Sequence, residues 1–352
     1  VGDSETAGIG AAAIEKLAKQ AVEKNRIDLD AVSGATVSSS AFCEAAALAL
    51  KAAGVDAGEL TPVEGGAEAQ AIEMATDLLV IGGGAGGLTA ANRAMELGVK
   101  DVILLEKSIA VGGASAQASG IAAGCSRLQT ELGMTGDSAG LIYDDIMRGG
   151  YQSNNPVLAW LLAGNMGYTL DWLIDSMNVP IESRYPGDFP EHIVQRFFLV
   201  TGGSSVMTDK LADNLVAADG KLMLETRAYE LLTDGTGAVT GALATGADGN
   251  TLSITAKKTV IATGGFGNNP EMLTGNLSNY VFYGVGASTG DGHKMAEAVG
   301  AKMINMEYAK LYPQGIFMPD TNSGKAVATQ SIPLMNQTGA IYVNWEGEAH
   351  LR

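Results

Sequence analysis

The feature that most limits what this chain can fold into is a run of glycines set between two kinds of periodicity. Asp77 to Ile81 is an apolar β run, Gly82-Gly83-Gly84-Ala85-Gly86-Gly87 interrupts it, and Leu88 to Leu97 takes helical spacing. A second apolar run, Asp101 to Leu105, closes on Glu106. The result is a strand, turn, helix, strand unit containing G-x-G-x-x-G, with an acid about 20 residues further on. Gly82, Gly84 and Gly87 remove β-carbons that would keep backbone N–H groups away from a diphosphate. Ala85 opens a helix whose N-terminus supplies about half a positive charge. Glu106 can accept both hydroxyls of a ribose, which argues against a 2′-phosphate there. The expected class is α/β, with a Rossmann-like parallel sheet holding a nucleotide diphosphate.

Composition narrows the partners. With 352 residues the chain is long enough for two or more buried cores, and its 47 glycines cluster without a triplet period. A net charge of −17 repels phosphate backbones and anionic lipid, so neither nucleic acid nor a membrane surface is expected as a partner. Cys43 and Cys125 form no C-x-x-C and are expected to be inert and buried; His192, His293 and His350 never reach ligand spacing, so no metal site is expected. The longest weakly polar stretch, Leu78 to Ala91, is shorter than a bilayer span, and no membrane span is expected. The chain opens at Val1 without Met, which reads as a processed or excised polypeptide.

Along the chain, residues 11 to 26 read as an amphipathic helix and residues 41 to 53 as a second, with Ser38 to Ser40 as hydroxyl caps and Gly54 at its C-terminal stop. Residues 55 to 75 are Gly-, Glu-, Pro- and Ala-rich without periodicity, the composition of a linker. Residues 140 to 180 read as helical packing, with Trp160, Leu161, Leu162, Met166, Leu170, Leu173 and Ile174 apolar and Pro180 beyond them. Leu222 to Thr233, Val239 to Thr245 and Thr251 to Thr255 read as a β-meander, and Thr259 to Thr263 as a buried parallel strand. His293 is read as a solvent-facing histidine at a helix start, and Arg184, Arg196 and Arg227 as isolated surface ion pairs.

Further small-residue clusters follow Glu106-Lys107: Gly112-Gly113-Ala114-Ser115, Ser119-Gly120, Ala262-Thr263-Gly264-Gly265-Phe266 and Thr289-Gly290-Asp291-Gly292. In this order they suggest one elongated ligand. Over residues 76 to 352 the sequence resembles the fumarate reductase and succinate dehydrogenase flavoprotein family, in its soluble flavocytochrome c-like, urocanate reductase-like branch. The resemblance implies non-covalent FAD held by Gly82, Gly84, Ala85, Gly87, Glu106, Lys107, Gly113, Ala114, Ser115, Ser119, Gly120, Thr263, Gly264, Gly265 and Asp291. It also implies a capping domain over the isoalloxazine and hydride delivery from flavin N5 to a carbon–carbon double bond.

Ser33-Gly34-Ala35-Thr36-Val37-Ser38-Ser39 resembles the flavinylation motif of the FMN-binding domain family, in which the threonine matching Thr36 is esterified to the FMN phosphate. The implied organisation is a partial α+β FMN-binding domain over 1–54, a linker over 55–75, an FAD-binding domain over 76–307 and the start of a capping domain over 308–352. Electrons would pass from an upstream donor through FMN to FAD, after maturation by a flavin transferase. Where fumarate-reducing members place a His-Pro pair, this chain has Tyr312-Pro313, and Thr329-Gln330 stands near the family's Thr-Glu pair. A tyrosine contact suits a small unsaturated monocarboxylate such as urocanate or a cinnamate-like acid better than fumarate. The family's proton-donor arginine has no match before Arg352, so the catalytic group is unassigned and this polypeptide is expected to hold FAD weakly and turn over little. Two alternatives stand beside reduction: a dehydrogenase of a saturated substrate, including ketosteroid desaturation, and a flavin electron carrier without catalysis. Placement in a bacterial cell envelope is expected by analogy, with the cytoplasm as the alternative.

Overall fold

A parallel strand buried on both faces must be hydrophobic throughout, and the two runs flanking the glycines meet that demand: Leu78 to Ile81 and Val102 to Leu105 are all buried. The computed structural model describes residues 9–29, 32, 36–55, 58, 60, 69–118, 120–182, 192–279, 282 and 284–309. The chain divides into two units, one of Gly66–Gly264 and one of Val1–Gly65 with Gly265–Arg352.

In the first unit β1 (Ala71–Ile81), α3 (Ala85–Glu96) and β2 (Val102–Leu105) form the expected strand–helix–strand, numbered after two earlier helices, α1 (Ile9–Lys24) and α2 (Thr36–Ala52). The chain continues through α4 (Gly113–Ala116), β3 (Ile121–Ala122), α5 (Arg127–Glu131), α6 (Ala139–Gly149), α7 (Pro156–Asp175), β4 (Phe197–Phe198) and α8 (Ser204–Ala217). Strands β5 (Lys221–Met223), β6 (Arg227–Thr233), β7 (Val239–Thr245) and β8 (Thr251–Ile261) complete it. One six-stranded sheet runs β5-β2-β1-β8-β7-β6; β5, β2, β1 and β8 are parallel, and β7 and β6 are antiparallel. Helices α3 and α8 cover one face around Val80, Leu88, Leu104, Leu211 and Leu215. Buried Asn92 ties them together, donating to the carbonyls of Leu88 and Leu211, both at 2.8 Å.

Several boundaries differ from expectation because strand pairing is non-local. The run Leu222 to Thr233 is two strands, not one: β5 pairs with β2, and the chain then breaks at Glu225, where φ is +50°. Conversely, Thr251 to Thr255 and Thr259 to Ile261 belong to a single eleven-residue strand, β8, which pairs with β1 along its length and with β7 over its first half. It stops short of Thr263, and its last residues are only half-buried, with Ile261 exposed. The same pairing draws β1 back to Ala71, opposite Thr251, six residues ahead of the apolar run. Helix α7 corrects two readings. Ala159, Ala163, Gly167, Leu170, Trp172 and Leu173 are buried, but Trp160, Leu161 and Leu162 are more than half exposed. Among the described residues α7, not Leu78 to Ala91, is the stretch long and apolar enough to cross a membrane by length and composition. Cys125 is exposed rather than buried; its backbone takes a φ of +60°, and Gly167 of α7 packs against its carbonyl.

In the second unit α1 buries Ala13 and Leu17. Helix α2 opens at Thr36, so Ser38 to Ser40 lie inside its first turns instead of capping it, and buried Ser39 accepts the Val32 N–H at 3.0 Å. Gly54 takes the expected left-handed conformation, with Gly54 N–H donating to Lys51 and Val55 N–H to Leu50. Helix α9 (Asp291–Ala298) also belongs here.

Candidate functional site

The glycine run sits where β1 ends, between β2 and β8, at the carboxyl ends of three parallel strands. Gly82 N–H donates to Leu105 and Ala262 N–H to Ile81, each at 2.8 Å, so the end of β8 adjoins the turn. Gly82 has φ of +112°, and a β-carbon there would run into the Ala262 carbonyl. Gly87 is constrained from the other side, since a β-carbon on it would meet the Gly82 carbonyl oxygen. Gly84 has no such internal reason: the nearest atom to a β-carbon would be the Gly112 carbonyl, at an ordinary 3.7 Å. Its missing side chain leaves room for something other than this unit's own atoms.

The second cluster closes against the first. Gly112 N–H donates to the Gly83 carbonyl at 2.8 Å, and Gly84 and Gly112 form a parallel bridge. Ser115 Oγ, on α4, accepts the Ala85 N–H at 3.2 Å. Helix α3 starts with no side-chain cap on Gly84 and no acid in its first turn, so beyond the neutral Ser115 hydroxyl no charge of the helix itself offsets its positive end. Glu106 is 8% exposed and doubly held: Oε2 accepts the Gly83 N–H at 2.8 Å and Oε1 the Ser108 N–H at 2.7 Å. Each oxygen keeps a lone pair for a further donor. This donor set fits an adenosine ribose against Glu106 and a diphosphate against Gly84, Ala85 and Ser115.

Thus Gly82, Gly84, Ala85, Gly87, Glu106 and Ser115 are brought together, with Lys107 directly after Glu106, Gly113 and Ala114 opening α4, and Thr263-Gly264 just beyond Ala262. Gly120 enters β3, where a β-carbon would strike the Phe198 carbonyl. Gly265 and Asp291 lie in the other unit, where the Gly265 carbonyl accepts the Gly290 N–H at 3.2 Å and Asp291 accepts from Thr289 Oγ1 at 3.0 Å. His293 there is half-buried, not solvent-facing: it meets Phe266 edge-on at 5.1 Å, and its Nδ1 is buried without a hydrogen-bond partner. Ser119, Arg184, Tyr312, Thr329 and Gln330 lie outside the described residues. Two contributors went unread. Ser108 orients Glu106 through its backbone N–H, which no side-chain pattern reveals, and Thr208 of α8 packs on Gly112, a long-range contact.

Arg196 is a correction of another kind. It is wholly buried between Asp137 and Asp145, not a surface pair. Burial raises the pKa of both carboxyls, but hydrogen bonds from Arg196, with Gln129 on Asp137 and the Ile193 N–H on Asp145, outweigh it and leave both below the usual range.

The family described as FAD binding domain matches residues 77–352, and that described as FMN-binding domain matches residues 1–51. The chain belongs to the FAD-binding domain family. It is a flavoprotein of the fumarate reductase and succinate dehydrogenase kind, with an N-terminal FMN-binding domain. Among relatives, urocanate reductase of Eggerthella lenta is 35% identical over 98% of this chain and 57% of its own length. Fumarate reductase (cytochrome) of Shewanella frigidimarina is 31% identical over 76% of this chain and 47% of its own length. The chain therefore spans about half the length of the curated relatives it matches. Among solved structures, the open conformation of a flavocytochrome c3 fumarate reductase matches with TM-score 0.65 and 28% identity, over 72% of this chain and 45% of that one.

Proposed function

We propose that this chain is the flavin-holding part of a reductase that saturates the carbon–carbon double bond of a small α,β-unsaturated carboxylate, urocanate-like or cinnamate-like before fumarate-like. The observation carrying the reading is the fit of the Gly84, Ser115 and Glu106 cradle to a dinucleotide in a chain of this family, whose relatives above are named as urocanate and fumarate reductases. Bound FAD supplies hydride chemistry. The protein's part is to hold it: Glu106 accepts ribose hydroxyls with an orientation fixed by two backbone donors, and the N-terminus of α3, which carries no acid in its first turn, balances the diphosphate charge. Tyr312 is the proposed substrate contact. The proposed division remains 1–54, 55–75, 76–307 and 308–352, with covalent FMN on Thr36, the first residue of α2, relaying electrons from an upstream donor. The proposed location of the protein is the cell envelope, with the cytoplasm as the alternative.

The test is to express the full-length gene with a flavin transferase and measure anaerobic oxidation of reduced viologen on adding urocanate, cinnamate or fumarate. FAD in the purified protein, an FMN-sized mass increment on the Thr36 peptide and urocanate-dependent turnover are expected. Protein without FAD overturns the reading; oxidation with none of the acids overturns the substrate class.

A further inference from the structure

A set of buried charges lies beside the β3–β4 ribbon, and no role assigned so far uses it. Arg196 directly precedes β4 and is 0% exposed; Asp137 and Asp145 are 2% and 0% exposed. The guanidinium grips Asp137 twice, Nε to Oδ2 at 2.8 Å and Nη2 to Oδ1 at 2.7 Å, and donates from Nη1 to Asp145 Oδ2 at 2.5 Å. Arg148 brings a second cation to Asp145. Backbone donors complete the set: Ser138 N–H reaches Asp137 Oδ1 at 2.9 Å and Ile193 N–H reaches Asp145 Oδ2 at 3.2 Å.

The network grips the ribbon from both strands. Gln129 spans it, donating to Asp137 Oδ2 at 3.2 Å and to the Gln195 carbonyl at 3.1 Å while accepting the Cys125 N–H at 2.6 Å. The Arg196 carbonyl accepts the Ala123 N–H at 2.9 Å, next to the β3–β4 pairs Ile121 with Phe198 and Ala122 with Phe197. Gly124 lies so close that a β-carbon would be 3.0 Å from Arg196 Nε and closer still to Asp137. Apolar residues of similar volume hold buried space as well as or better than an ion triad, because they escape desolvation. What they lack is direction. A bidentate guanidinium fixes both the angle and the register of what it binds.

The segment so fixed is the continuation of the cradle, since the chain passes from Ser115, at the α3 N-terminus, through Gly120 into β3. We propose that Arg196 is a positioning residue, which with Asp137 and Asp145 holds buried Ala123 and through it sets the β3–β4 ribbon so that the half-buried backbone of residues 120–122 meets the flavin half of bound FAD. This rests on the FAD reading of the cradle.

The experiment compares the full-length holoprotein with an Arg196→Met, Asp137→Leu, Asp145→Leu variant and with Arg196→Lys, which keeps the charge and loses the fork. Thermal unfolding, FAD Kd and visible circular dichroism of the bound flavin are read for each. The apolar variant is expected to keep or raise the unfolding midpoint while binding FAD at least tenfold more weakly and with an altered flavin spectrum. Arg196→Lys is expected to shift the same spectrum, so the measurement survives if the triple variant does not fold. Parent-like affinity and spectrum in either folded variant would overturn the positioning role alone. A parent free of FAD would overturn the cradle reading and this proposal with it.

Discussion

Two glycines three residues apart make opposite demands on a side chain. A β-carbon on Gly87 would overlap the Gly82 carbonyl of its own turn, whereas one on Gly84 would meet only ordinary contacts, the Gly112 carbonyl at 3.7 Å and Ser115 Oγ at 3.8 Å. Gly87→Ala is therefore expected to destabilise the apoprotein by about 3 kcal/mol through overlap. Gly84→Ala should move the apo unfolding midpoint by no more than about 0.5 kcal/mol while weakening FAD binding at least tenfold. Paired denaturation and flavin titrations of the two variants check this; equal effects on both quantities would contradict it. Glu106 admits a similarly sharp substitution. Both its oxygens accept backbone N–H groups, so Glu106→Gln turns an amide NH2 against one of them, and about 2 kcal/mol of FAD affinity should be lost, readable as a roughly thirtyfold rise in Kd. At this scale the cradle was legible because glycines and an acid at fixed spacing have few physical uses. Ser108 and Arg196 were not, since one acts through its backbone and the other through partners more than 50 residues away.

Among the elements, the ribbon of β3 and β4 is too short to hold itself and depends on the ions behind it. Removing Arg196 alone, as in Arg196→Met, leaves carboxylates buried without their main partner and should cost about 3–5 kcal/mol in denaturant unfolding. The pH response follows from the direction of the shifts. Asp137 and Asp145 titrate lower in the folded state than in the unfolded chain, so their contribution is whole above the ordinary aspartate range near pH 4. It is lost as pH falls through the lowered folded values. Unfolding free energy should thus decline below about pH 4, and Asp137→Asn should flatten that decline. Element types were readable from periodicity, as in β1, α3 and β2, and from turn chemistry, as in the β6–β7 and β7–β8 connections with Gly237 and Gly249 at positive φ. Where a strand divides or continues depends on its neighbour, and neither the break at Glu225 nor the continuity of β8 is written in the local sequence.

At the scale of the whole molecule, a charge of −17 is spread unevenly. Helix α7 has no charged residue before Asp171, and Val157, Leu158, Trp160, Leu161, Leu162 and Tyr168 are each more than half exposed. Apolar side chains exposed together on one uncharged stretch of helix favour association at high concentration. Leu158→Glu with Leu161→Lys should leave stability within about 0.5 kcal/mol and raise the concentration at which light scattering sets in. A large loss of stability would show that the face is packed instead. The order of the sheet has a consequence for biosynthesis. Gly82 is completed by Ala262 at the end of β8, which takes its place beside β1 only after the whole intervening stretch has been made. A nascent chain paused on the ribosome before that point has a glycine turn but no wall behind it, so coenzyme capture waits until the last parallel strand has left the exit tunnel.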